Sequence, residues 1–153
     1  LQPAGQIGQV RFINDSKATN PHAAMAGLRA ISVLEDELLI WIGGGSNKDA
    51  DFTELAAELG RRADCVILIG ETTAKLDAAL PEFVRRVHCE GMHDAVATAL
   101  HEAGNKGVVL LSPACASYGL FLNYVHRGEM FMDAVQRLGA AMTVAPDADA
   151  PPD

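Results

Sequence analysis

The sequence predicts an α/β domain of three layers, a mainly parallel sheet flanked by helices. Five short apolar runs, at about 9–14, 38–43, 65–69, 85–89 and 107–112, alternate with segments whose apolar residues recur at helical spacing. Dense polar clusters follow four of those runs. Together these features describe repeated strand-helix units in a Rossmann-like arrangement, with loops gathered at one sheet edge.

The helices follow from local signals. The first starts at Asn20-Pro21, a capping side chain before a proline suited to the first helical position, and turns Ala24, Leu28 and Ile31 inward. In the second, Asp51 and Glu54 have capping-box spacing, and Phe52, Leu55, Ala56 and Leu59 make one apolar face. A third spans about 73–80 and stops at Pro81; a fourth carries Val96, Ala99, Leu100 and Ala103 before Gly104. The last, with Phe131, Val135 and Leu138 on one face, is expected to end at Gly139. Residues 1–141 are expected to form one domain, and the Ala-, Pro- and Asp-rich segment 142–153 a loose acidic tail.

Composition narrows the function classes. With 153 residues there is chain enough for a real core. Twelve Lys and Arg face 20 Asp and Glu, a balance that repels phosphate backbones and anionic membranes, so neither nucleic acid nor membrane is an expected partner. No apolar run approaches the roughly 20 residues of a spanning helix. Cys65, Cys89 and Cys115 lie apart in or beside apolar runs, which fits reduced thiols in a cytoplasm, and the five histidines show no metal-ligand spacing.

The polar clusters are 14–20 (NDSKATN), 43–51 (GGGSNKDAD), 70–75 (GETTAK) and 112–119 (SPACASYG). Taken alone, 14–20 also reads as a turn plus a cap, and the three glycines as a flexible turn. The same glycines before Lys48 would let backbone N–H groups approach phosphate closely, although neither the dinucleotide fingerprint nor a P-loop ending is present. Ser112 and Ser117 lack GxSxG and a histidine at motif spacing, which excludes a serine hydrolase of that type. Cys115 has no neighbouring base and reads as a packed thiol.

NDSKATNPHAA, GGGSNKDADF and LLSPACASYGLFLNYVHRGEMF, in this order and spacing, closely resemble the carboxy-terminal domain of Mur ligases of the D-glutamate-adding MurD type, over residues 10–138. The resemblance implies an ATP-dependent, magnesium-requiring cytoplasmic enzyme of peptidoglycan synthesis. It phosphorylates the carboxylate of UDP-MurNAc-L-alanine and lets the amine of D-glutamate displace phosphate. It also implies that Lys48 meets nucleotide phosphate, that Arg29 lies against adenosine, and that Ser46 stands where a nucleotide-contacting acidic residue can occur. Lys75, Ser117, Tyr118 and Tyr124 resemble the D-glutamate site; Gly119 and Tyr124 depart from the usual acidic residue and phenylalanine. The metal ligands of the family lie mainly in other domains, so this chain is expected to be a fragment of a longer polypeptide, monomeric and inactive alone. Two rival expectations are a stand-alone nucleotide-binding module and a non-catalytic interaction domain.

Overall fold

All five apolar runs form strands, and a sixth precedes them. The computed structural model describes residues 1–47 and 49–148. In chain order the elements are β1 (Gln2–Ile7), β2 (Gln9–Asn14), α1 (Pro21–Ala30), β3 (Leu38–Gly43), α2 (Thr53–Arg62), β4 (Cys65–Leu68), α3 (Thr73–Ala79), β5 (Arg86–His88), α4 (Met92–Ala103), β6 (Lys106–Leu111) and α5 (Tyr124–Ala148). The sheet order is β1-β2-β6-β3-β4-β5, parallel except for β1, which pairs antiparallel with β2.

The unforeseen strand β1 has the sequence QPAGQI, with none of the aromatic or alternating pattern that announces a strand. Pro3 is tolerated because β1 is an edge strand, and the register shift between Pro3 and Gly5 is a bulge. Gly8, with φ +57°, turns the chain into β2.

Alternation along the strands divides the core. Ile13, Leu39, Trp41, Val66, Leu68, Val108 and Leu110 face α1, α2 and α3, whereas Phe12, Ile40, Ile42, Ile67, Val109 and Leu111 face α4 and α5. Asn14 and Ile42 both stand opposite Leu111 in the ladder. The loops after β2, β6 and β3 therefore emerge level with one another at the carboxyl edge.

Asn20 caps α1 as expected, its Oδ1 accepting from Ala23 N–H at 2.9 Å. The start of α2 differs from the expected box: Asp51 Oδ1 accepts from the Thr53 N–H and hydroxyl at 2.9 and 2.7 Å, and Phe52 occupies the cap position. The expected stop at Gly139 is also corrected. α5 runs on to Ala148, because Gly139 keeps a helical backbone instead of the positive φ that a terminating glycine takes. The remainder of the expected tail, 149–153, lies outside the described residues. Among the described residues no helix is long and apolar enough to cross a membrane.

On the α2 surface, Glu58 is buried and receives Arg61 at 2.5 Å, Arg62 at 2.7 Å and Arg29 at 3.5 Å. Hydrogen bonds from Arg61 and then Arg62 hold its carboxyl down at about 2, against the usual 4.5. A depressed folded pKa adds stability that is complete above about pH 4.5 and is lost as pH falls through 2. Because the arginines are exposed, solvent screening leaves this contribution on the order of 1 kcal/mol. Urea unfolding of Glu58→Gln between pH 5 and pH 2 should show a shallower fall in stability than the wild-type chain; equal slopes would remove Glu58 from the acid response.

Candidate functional site

At the carboxyl edge the four polar loops are sewn together by backbone and side-chain bonds. Asp15 N–H donates to the Leu111 carbonyl at 2.7 Å and Ala114 N–H to the Ala18 carbonyl at 2.9 Å, joining the loop after β2 to the loop after β6. Gly44 N–H donates to Pro113 O and Ser46 N–H to Ala116 O, both at 2.9 Å, bringing in the loop after β3. Thr72 closes the set: its N–H donates to Gly45 O, its hydroxyl accepts from Gly45 N–H at 3.0 Å, and the same hydroxyl lies 3.5 Å from Cys115 Sγ.

This geometry corrects the phosphate-cradle reading of the glycine loop. The N–H groups of Gly44, Gly45 and Ser46 are already spent on Pro113, Thr72 and Ala116. The glycines are required by close contact instead. A Cβ at Gly43 would fall 1.9 Å from the Trp41 ring, at Gly44 2.1 Å from Ile69 O, and at Gly45 2.3 Å from Ala116 O. The last two also have φ of +107° and +155°.

Arg127, in the first turn of α5, is the centre of this stitching, and the sequence reading assigned it no role. Its side chain is fully buried. Nε donates to Ser16 Oγ at 2.8 Å, Nη2 to Ser16 O at 2.6 Å and Nη1 to Cys115 O at 2.8 Å. Ser16 Oγ passes a bond on to Tyr124 O at 2.7 Å. Burial pulls the guanidinium down to about 10, so it is still charged at neutral pH. One signal was available: Arg127 stands four residues before Phe131, on the apolar face of its helix.

The site residues expected from the sequence are distributed as follows. Ser117 is 5% exposed at the end of the stitched loop, while Tyr118 is 70% exposed and Tyr124 half-buried beside it. Lys75 lies in the first turn of α3, three residues after Thr72, with Nζ 5.8 Å from the Phe52 ring centroid. All four thus belong to the carboxyl edge. Ser46 is there too, but its hydroxyl is enclosed, with no hydrogen-bond partner among the described residues. Lys48 lies outside the described residues. Arg29 is not brought to this edge: it sits in the last turn of α1, about 12 Å along the helix from its start, and pairs with Glu58.

A hollow of about 390 Å³ opens between the loop after β2 and the start of α5, lined by Asn14, Asp15, Ser16, Lys17, Tyr124 and Glu129 among others. Asp15 turns inward here. Its Oδ2 accepts from the Ser112 hydroxyl at 2.7 Å, directly over Gly27 of α1, where a Cβ would come within 2.5 Å of it. A larger hollow of about 930 Å³ lies at the opposite end of the sheet, between the β1–β2 turn, α4 and α5. Among the described residues no three His, Cys, Asp or Glu side chains converge as a metal site. Cys115 is fully buried and burial raises its pKa, as befits a packed thiol rather than a nucleophile.

Truncating Arg127 leaves the carbonyls of Ser16 and Cys115 without their donor inside the protein. Arg127→Ala should therefore lower stability by about 3 kcal/mol or more, and Ser16→Ala by about 1–2 kcal/mol. Arg127→Lys should recover little, because a single ammonium cannot reproduce the fork. Denaturant titration measures all three; a loss below about 0.5 kcal/mol for Arg127→Ala would mean that the stitch is dispensable.

Comparison with known proteins agrees with this arrangement. The family described as Mur ligase, glutamate ligase domain, matches residues 1–115. A UDP-N-acetylmuramoylalanine-D-glutamate ligase of Albidiferax ferrireducens is 40% identical over 152 residues, covering 99% of this chain and 30% of the relative. One from Coxiella burnetii is 39% identical over 130 residues, covering 85% of this chain and 29% of the relative. The chain thus spans less than a third of the length of these relatives. Among solved structures, a domain from a Haemophilus ducreyi protein named as a UDP-N-acetylmuramate:L-alanyl-gamma-D-glutamyl-diaminopimelate ligase has a TM-score of 0.56 at 16% identity, covering 93% of this chain and 98% of that one. That likeness concerns the fold. With the family matched over three quarters of its length and the motif loops joined at one sheet edge, the chain belongs to the Mur ligase, glutamate ligase domain family, as a carboxy-terminal domain of the MurD type.

Proposed function

We propose that this chain is the D-glutamate-binding domain of an ATP-dependent ligase that joins D-glutamate to UDP-MurNAc-L-alanine in the cytoplasm. One observation carries the assignment beyond the family. Lys75 in the first turn of α3 and Ser117 at the end of the loop after β6 put a cation and a hydroxyl at the edge where the family motifs meet. A site for a substrate with two carboxylates needs such cations and donors.

In this reading Lys75 and the Ser117 hydroxyl meet D-glutamate carboxylate, and Tyr118 and Tyr124 supply backbone and packing contacts. The chain's task is to hold the amine against an acyl phosphate formed elsewhere in the ligase and to keep water away from it as the domain closes. Exposed Tyr118, Leu120, Leu122 and Val125 on the rim fit such a closure. ATP and magnesium belong to the same chemistry; the proposal assigns the magnesium ligands and most of the nucleotide site to the rest of the ligase, with Lys48 as this chain's phosphate contact. The isolated domain is then inactive and monomeric. The spent N–H groups of residues 44–46 weigh against the rival reading of a self-sufficient phosphate-binding module.

In the ligase that carries this chain, Lys75→Ala and Ser117→Ala should each raise the D-glutamate KM by about tenfold or more, as expected for a lost charge-assisted bond, with the ATP KM little changed. Steady-state kinetics with each substrate varied in turn decides. Equal losses for both substrates would misplace the pocket, and turnover that ignores D-glutamate would overturn the function.

A further inference from the structure

Between Ser117 and α5 Phe121 packs against the core, while Leu122 is 79% exposed and Tyr118 and Leu120 are exposed as well. Hydrogen bonds supply the rest of the order. Phe121 N–H donates to the Ser117 carbonyl at 3.1 Å, closing a turn through Gly119, whose φ is +98°. Leu122 N–H donates to Nδ1 of His126 at 3.0 Å. In return His126 N–H donates to Oδ1 of Asn123 at 2.8 Å, while Arg127 N–H donates to the Asn123 carbonyl at 3.1 Å as the first bond of α5. The Phe121 ring meets the imidazole edge-on with centroids 5.9 Å apart.

This is the reciprocal logic of a capping box, with histidine in the place usually held by Glu or Gln and its reach extended one residue further back. Because Leu122 supplies an N–H, Nδ1 must be the acceptor and the ring proton must sit on Nε2. His126 is thereby two bonds from Ser117: it fixes Leu122 and Phe121, and Phe121 fixes the Ser117 carbonyl.

We infer that His126, with Asn123, is a positioning residue for the amino-acid side of the site, locking the turn of residues 117–122 in the shape that presents Ser117 and Tyr118. The inference rests on the function proposed above. The locked turn is on the surface, so loss of the lock spares the core; what changes is the spread of conformations from which the substrate side of the cleft must be assembled, a cost that appears as weaker binding.

The test uses the complete ligase. His126→Phe keeps an aromatic ring for Phe121 and deletes the acceptor, and His126→Gln restores an acceptor oxygen. Amide hydrogen exchange over residues 118–122 should quicken on the order of tenfold in His126→Phe, and the D-glutamate KM should rise on the order of tenfold with the ATP KM unchanged. His126→Gln should recover much of both. Unchanged exchange, faster exchange with an unchanged D-glutamate KM, or a Gln variant no better than Phe each overturns the inference. A wild-type ligase that turns over without D-glutamate overturns the proposed function and, with it, the substrate named here; a wild type that uses D-glutamate while His126→Phe equals it overturns this inference alone.

Discussion

The site depends on one buried cation. Loops at the end of a parallel sheet have no ladder to consume their carbonyls, yet Ser16 and Cys115 are both buried where the loops after β2 and β6 meet. Each buried carbonyl needs a donor, and two of them facing one point from different loops need a donor with several N–H groups in fixed directions. The Arg127 guanidinium is such a group, and among the described residues no carboxylate pairs with it. Its charge stays in place because three short bonds replace its hydration. α5 is thus anchored twice: by Phe131 packed against Phe12 of β2, and by Arg127 one turn earlier in the loops themselves.

That anchor divides the carboxyl edge into two regimes. Residues 112–117 are buried or nearly so and bonded to all three neighbouring loops, a floor that cannot shift without breaking several bonds at once. Residues 118–125 are largely exposed, ordered by the turn, the helix start, the packing of Phe121 and the bond from Ser16 to Tyr124 O. Such a contrast suits a substrate cleft completed by another domain, in which the floor fixes position and the rim adapts to what closes over it.

Much of this was legible in the sequence, for identifiable reasons. Buried parallel strands are continuous apolar runs, and α1 and α4 carried plain terminal signals in Asn20-Pro21 and Gly104. β1 was hidden because an edge strand can tolerate Pro3 and Gly5, residues that break a strand pattern. The end of α5 was misjudged because a glycine ends a helix only where it takes a positive φ, and Gly139 stays helical. At the glycine loop, composition shows that backbone can approach something closely but not what it approaches; the close neighbours are Ile69 and Ala116. Arg29, expected against adenosine, stands in the last turn of α1 and pairs with Glu58, a partner that only the fold reveals. Arg127 escaped notice because a charge beside polar loops looks like surface until its helical register with Phe131 is counted.

A net charge of −8 does not by itself exclude the dianionic substrate proposed above, because electrostatic reach is limited. At physiological ionic strength the screening length is about 8 Å, so carboxylates on the far side of the molecule contribute little at the cleft. Many of those carboxylates are also locally neutralised: Glu58 alone engages three arginines, and Glu37, Asp77, Glu102, Asp36 and Asp133 each hold a cation of their own. What a ligand meets at the carboxyl edge is set by the charges within one screening length of it, and these include the carboxylates of Asp15 and Glu129 as well as the ammonium of Lys17. An overall acidic balance limits long-range attraction to nucleic acid and to anionic membranes, while the charge that a small ligand would meet is decided locally.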